Sequence, residues 1–155
     1  MSYIRELRPY MYWLEYIREA REAGELDWEA IGGTWGIATS RLLTWESNTD
    51  WNYPEYFNVF LNKVTASYNK SGNILANYVA KYFEDIWRHL KSVKRVMRKG
   101  GKVHYIVGNS VFYGILLPVE KIYKYMLEEL GFQKISCKII RKRNSKKELY
   151  EFDVS

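Results

Sequence analysis

The 155-residue sequence predicts an α/β fold: a helical N-terminal region, then about three strands, the last two an antiparallel hairpin. Three observations carry this expectation. Apolar residues recur at three- and four-residue steps over much of the N-terminal two-thirds, as amphipathic helices require. A short apolar run with β-branched residues, Lys102-Val103-His104-Tyr105-Ile106-Val107, comes after Gly100-Gly101 and reads as a buried strand. The chain closes on two alternating runs, KISCKIIRKR and ELYEFDV, around the polar turn NSKK, which is the pattern of a hairpin.

Taken in order, Ile4, Leu7, Tyr10, Met11, Leu14 and Ile17 have helical spacing, with Arg and Glu between them. Pro9 would break such a helix in its middle, so the helix is expected to begin near it and to stop at Gly24. A second short helical start is expected at Asp27-Trp28-Glu29, and Gly32-Gly33-Thr34-Trp35-Gly36 interrupts any regular element. Residues 44–54 (TWESNTDWNYP) read as an irregular loop ending at Pro54. One helix is expected from Pro54 to Tyr68 and a longer one from Ile74 to Arg98. The longer one has Leu75, Val79, Tyr82, Phe83, Ile86, Leu90, Val93 and Met97 on one face and Arg88, Lys91, Lys94, Arg95 and Arg98 on the other. Gly100-Gly101 ends it. A loop is expected over residues 108–114, then a helix opened by Pro118, with Ile122, Met126, Leu127 and Leu130 inward and Gly131 as its stop. Residues 1–73 thus form a helical and loop region and residues 74–155 the strand-bearing part, expected as one compact unit.

A hydrophobic fraction of 47% in a chain of this size supports a real core. No charged and apolar leader and no stretch of about 18 apolar residues is present, so a cytoplasmic protein without a membrane span is expected. Cys137, the single cysteine, lies in an alternating run and is expected as a buried free thiol. The net charge of +6 is unevenly spread: residues 1–60 hold five Lys/Arg against ten Asp/Glu, and residues 61–155 nineteen against eight. A basic second part attracts a polyanion such as nucleic acid. Fourteen Tyr and six Trp suit ring stacking or a docking surface.

The order helix, Gly-Gly, strand, Gly-Asn-Ser loop, helix, Gly-Phe, strand, turn, strand resembles the second half of a class I S-adenosylmethionine-dependent methyltransferase sheet. The segment YFEDIWRHLKSVKRVMRKGGKVHYIVGNS, with LPVEKIYKYMLEELGF after it, is similar to the version found in enzymes that methylate amino groups of DNA bases, N6 of adenine or N4 of cytosine. The resemblance implies the C-terminal part of a Rossmann-like fold, with the final strand inserted antiparallel between the two before it. Ser2-Tyr3-Ile4-Arg5 resembles the stretch directly after the family's catalytic Pro-Pro-Tyr loop, which would set Tyr3 and Arg5 at the border of the pocket. That loop itself is not in this sequence, where Pro9, Pro54 and Pro118 are isolated. Nor is the Gly-rich turn that wraps the cofactor. Extruding a base, holding its amine and aligning the sulfonium methyl need those parts. S-adenosylmethionine is therefore expected in the complete enzyme and not on this chain alone.

By the same resemblance, Asn109, Ser110, Phe112 and Tyr113 face the target base, at the strand end where open α/β sheets bind ligands. A Gly-Asn turn bonded to local backbone accounts for Asn109 as well. Arg141, Lys142, Arg143, Lys146 and Lys147, around the last turn, are candidates for nucleic-acid backbone contact, and the stripe Lys91, Lys94, Arg95, Arg98, Lys99 is a second, for which a solvated helix face is the commoner explanation. His89 and His104 read as structural. The partners implied are DNA and either a missing methyltransferase half or a second copy, because the strand edge at Val103–Val107 is apolar and needs a mate. A non-catalytic remnant or interaction module, and an RNA methyltransferase fragment, are the alternatives.

Overall fold

The structure, a computed structural model, describes residues 3–33, 41–67, 69–144 and 148–155, and in those ranges every side chain except those of Tyr3, Arg5, Asn69 and Lys70. Helix α1 (Tyr3–Trp13) runs through Pro9 instead of starting at it. Ile4, Arg8 and Met11, spaced at helical steps across the proline, form its half-buried face. The chain turns where Glu15 takes a positive φ of 60° and the Tyr16 N–H reaches back to the Met11 carbonyl at 2.9 Å. This is a left-handed helix stop, a place that glycine usually fills. Gly24, expected as that stop, lies inside the next helix, α2 (Ala20–Glu29), and Asp27-Trp28-Glu29 form its last turn, not a new start. Helix α2 opens with a capping box between Glu19 and Glu22. Lys81 fastens its far end, donating to the Trp28 carbonyl at 3.1 Å while lying 4.7 Å from the Trp28 ring centre.

Glycine inside a helix costs up to about 1 kcal/mol against alanine. A methyl group at Gly24 meets nothing within 4 Å. Gly24→Ala is therefore expected to stabilise the chain by about 0.5–1 kcal/mol, read as a higher urea midpoint at unchanged slope.

Helix α3 (Glu55–Ser67) comes after the irregular loop over residues 44–54. It begins where the Pro54 carbonyl accepts the N–H groups of Phe57 and Asn58. Helix α4 (Asn69–Val96) starts earlier than its apolar spacing predicts, at Asn69 in place of Ile74, and ends at Val96. Its predicted inward residues Leu75, Val79, Phe83, Ile86 and Leu90 are buried, while Arg88, Lys91, Lys94, Arg95 and Arg98 are exposed as expected. A second buried strip, Ala76, Ala80, Glu84 and Trp87, is not predicted by that spacing. At Glu84 and Trp87 this strip is covered by the 44–54 loop, which lies against α4. Trp51 stacks on Trp87 with ring centres 6.1 Å apart. The Trp87 indole N–H donates to Asp50 at 2.8 Å, and Lys91 pairs with the same carboxylate. The Lys91 ammonium and the indole hold the Asp50 carboxyl below its ordinary range.

Three strands form one sheet: β1 (Tyr105–Gly108), β4 (Cys137–Lys142) and β5 (Tyr150–Val154), in the order β1-β5-β4. β5 runs antiparallel to both neighbours, so β1 and β4 point the same way. Helix α5 (Val119–Glu129), with Ile122, Met126, Leu127 and Leu130 buried and Gly131 at a φ of 78°, connects them and packs against all three. The register aligns Val107 with Phe152 and Tyr105 with Val154 on the α5 side, and Ile106 with Asp153 on the other. No described strand pairs with the outer edge of β1.

Three sequence expectations are corrected here. The run 102–107 is not a buried strand: as an edge strand with one open face it alternates, Val107 buried and Ile106 62% exposed. Residues 108–114 are not a loop but lead into a hairpin, β2 (Ser110–Phe112) and β3 (Ile115–Leu117). Tyr113 (φ 49°) and Gly114 (φ 81°) make its two-residue turn, which needs positive φ at both positions and so favours glycine. Cys137 is free but exposed, because β4 is the opposite edge of the sheet and all its residues lie open. Among the described residues no helix is long and apolar enough to cross a membrane.

Candidate functional site

The C-terminal end of β1 is tied down by backbone-directed bonds. Asn109 is 5% exposed. Its Oδ1 accepts from the Tyr150 N–H at 2.8 Å, its Nδ2 donates to the Glu148 carbonyl at 3.4 Å, and its own N–H donates to the Tyr150 carbonyl at 3.3 Å. Arg143 reaches back from the end of β4 and donates to the Asn109 carbonyl. Its guanidinium lies so close to Gly108 that a Cβ there would stand 3.3 Å from Arg143 Cζ. Asn109 thus splices the end of β1 to the start of β5, and its side-chain amide is engaged with local backbone.

Beside the edge of β1 that no described strand covers lies a cleft of about 290 Å³. Tyr78 and Tyr82 of α4, Tyr105–Gly108 of β1, Ser110 and Phe112 of β2 and Tyr123 of α5 are among its walls. Phe112 also meets Phe60 edge-on at 6.1 Å. The Tyr82 and Tyr123 hydroxyls share a hydrogen bond of 2.9 Å. Burial pushes both hydroxyls above the ordinary tyrosine value, and the neighbouring Tyr82 pushes Tyr123 further. Burial also raises Tyr105, whose hydroxyl lies 3.1 Å from His89 Nε2. Every wall residue is therefore uncharged near neutral pH. Among the described residues the walls are largely apolar and hold no base suited to proton transfer near neutrality.

Of the four residues expected to face a target base, Ser110 and Phe112 line this cleft, Asn109 forms the splice behind it, and Tyr113 stands half exposed at the hairpin tip. Tyr3 and Arg5 lie in α1, and their side chains are outside the described set. Among the basic candidates, Arg141 grips Glu151 through two bonds of 2.7 and 3.1 Å, holding that carboxyl below its usual range. Lys142 lies 5.9 Å from the Tyr150 ring centre, and Arg143 belongs to the splice. Lys146 and Lys147 fall outside the described residues. On α4, Lys91 is paired with Asp50, whereas Lys94 and Arg95 near its end and Arg98 and Lys99 just beyond it are exposed and form no ion pair among the described residues. His104 Nδ1 lies 3.1 Å from the Asp153 carboxylate. Sequence reasoning puts Tyr82 on an inward helix face but names none of the cleft tyrosines as a site residue; the helical step from Tyr123 to Met126 and Leu127 is the available signal for the other.

No protein-family model matches this chain, and neither the curated proteins nor the solved structures compared with it give a match.

Proposed function

We propose that this chain forms the C-terminal part of an S-adenosylmethionine-dependent DNA methyltransferase acting on adenine N6 or cytosine N4. It supplies the last three strands of the sheet and a portion of the target-facing side. The observation that carries the proposal is the strand order β1-β5-β4, with an antiparallel strand set between two that run the same way and are joined through a helix. The sequence features that carry the family resemblance fall at the ends of those elements: Gly100-Gly101 before β1, Gly108-Asn109-Ser110 at its end, and Gly131-Phe132 after α5. Ser110 and Phe112 lie just beyond the C-terminal end of β1, the side on which open α/β sheets bind ligands.

On this proposal the cofactor-wrapping turn and the Pro-Pro-Tyr loop come from outside these 155 residues, and S-adenosylmethionine belongs to the assembled enzyme. The basic second part would track the DNA backbone, with Lys94, Arg95, Arg98 and Lys99 among the exposed cations that form no ion pair with the described residues. The test is transfer of a labelled methyl group to unmethylated duplex DNA. This chain is mixed with a separately produced polypeptide carrying the family's Gly-rich turn and Pro-Pro-Tyr loop, and each is also assayed alone. Label on an exocyclic base amine only in the mixture is the expected result. A mixture that forms a stable complex yet transfers nothing would reject the proposal.

A further inference from the structure

We infer that the edge of β1 that no described strand covers, with the cleft beside it, takes one extended β-strand from another polypeptide, uncharged on the side that meets the cleft and paired through the backbone of Ile106 and Gly108. The inference deepens the proposal above, since it rests on the chain being part of a larger sheet, but it requires no methyl transfer.

The ladder itself says which groups are open. Asn109 continues the register in which Gly108 faces Glu151, and its N–H donates to the Tyr150 carbonyl. In an antiparallel pair both backbone groups of a residue turn to the same side, and successive residues alternate. Tyr105, Val107 and Asn109 are therefore turned toward β5, and Ile106 and Gly108 present their N–H and C=O groups outward. No described strand meets them there. Their directional chemistry specifies an extended backbone as the occupant, because loose apolar contact leaves those groups unpaired.

The surroundings fix the kind of strand. The cleft continues directly from this edge, and Ile106 and Gly108 are both in its wall. Among the described residues none of its walls is an acid, an amine or a guanidinium, so a charged side chain entering it would lose its water without gaining a partner there. A strand laid on β1 would place alternate side chains on the cleft side, where Tyr82 and Phe112 are the apolar surfaces and the hydroxyls already satisfy each other. A second copy of the chain fits less well. Helix α4 and the β2–β3 hairpin both supply walls of the cleft beside the edge, and a second β1 would bring its own α4 and hairpin there as well.

Amide exchange read by NMR on the uniformly labelled chain tests this. The probe is a blocked hexapeptide alternating threonine and valine, at millimolar concentration, with a fully N-methylated version as control. In the free chain Ile106 and Gly108 should exchange readily and Val107 slowly. With the peptide, exchange at Ile106 and Gly108 should slow about tenfold or more while Val107 keeps its rate, and the N-methylated control should do nothing. Four results would overturn the inference: no slowing at either amide; equal slowing with the control; signal changes at Tyr82 or Phe112 without amide protection, which would mean an apolar ligand; or protection on concentrating the chain alone, which would assign the edge to a second copy. Strand capture without methyl transfer in the two-part assay would reject the methyltransferase proposal and leave this one standing.

Discussion

Replacing Phe83 with alanine is expected to lower stability by about 3–5 kcal/mol, the usual cost of truncating a fully buried phenylalanine. Phe83 is 0% exposed and sits where four elements meet. Its ring is 5.1 Å from Phe57 of α3, 6.5 Å from Trp51 of the 44–54 loop and 6.4 Å from Tyr123 of α5. It also lines the cleft beside β1. Truncation therefore opens a void between the helices and loosens one wall of the candidate site at the same time. For a domain whose total stability is about 5–15 kcal/mol the loss is a large fraction, and at this length it corresponds to roughly 10 °C or more in Tm. Thermal unfolding monitored by near-ultraviolet circular dichroism checks it. Phe83→Leu, which keeps most of the volume, should cost about 1 kcal/mol; equal losses for the two variants would mean that the ring packing is not what holds these elements together.

The second large effect is expected at Glu84. Its carboxylate is 0% exposed and accepts hydrogen bonds from the Ser47 hydroxyl at 2.6 Å and from the Tyr53 hydroxyl. Its other oxygen lies 3.7 Å from the exposed Arg88 guanidinium. Burial and this carboxylate together push the Tyr53 hydroxyl above its ordinary value, so Tyr53 remains a donor near neutral pH. Hydrogen bonds to a charged acceptor are worth about 1.5–3 kcal/mol, whereas Arg88 is open to water and adds little. Glu84→Ala is expected to cost about 2–3 kcal/mol and to speed amide exchange across Ser47–Tyr53. Glu84→Gln keeps an acceptor for both hydroxyls and should cost about 1 kcal/mol. A loop that keeps its protection in Glu84→Ala would show that Asp50, Trp51 and Trp87 alone fasten it.

These two residues also mark how far the sequence can be read. The apolar spacing of α3, α4 and α5 is a local property, and it places Phe83, Leu90, Ile122 and Met126 in the core, where they are found. Glu84 is invisible to the same rule, because a carboxylate on a helix reads as solvent-facing until a separate loop brings Ser47 and Tyr53 to it. Helix α1 escapes its predicted bounds for a similar reason: Pro9 weighs against a helix, yet Ile4, Arg8 and Met11 still share a half-buried face across it. The run 102–107 is apolar enough for a central strand, but its depth depends on having a neighbour on each side, and among the described strands β1 has only β5. The hairpin β2–β3 is missed because Tyr113 is not a residue that usually takes positive φ, and Gly114 alone does not distinguish a two-residue turn from a loop. At the candidate site Ser110 and Phe112 are legible from their place after a strand. The role of Asn109 turns on Tyr150 and Arg143, which are distant in sequence.

The most direct test of the proposed assignment is calorimetric titration of the purified chain with S-adenosylmethionine. On that assignment these residues belong to the half of the sheet that does not wrap the cofactor, so no saturable heat is expected up to millimolar concentrations. Saturable binding by this chain alone would contradict the assignment, because the cofactor site would then lie within residues that hold neither the Gly-rich turn nor the Pro-Pro-Tyr loop.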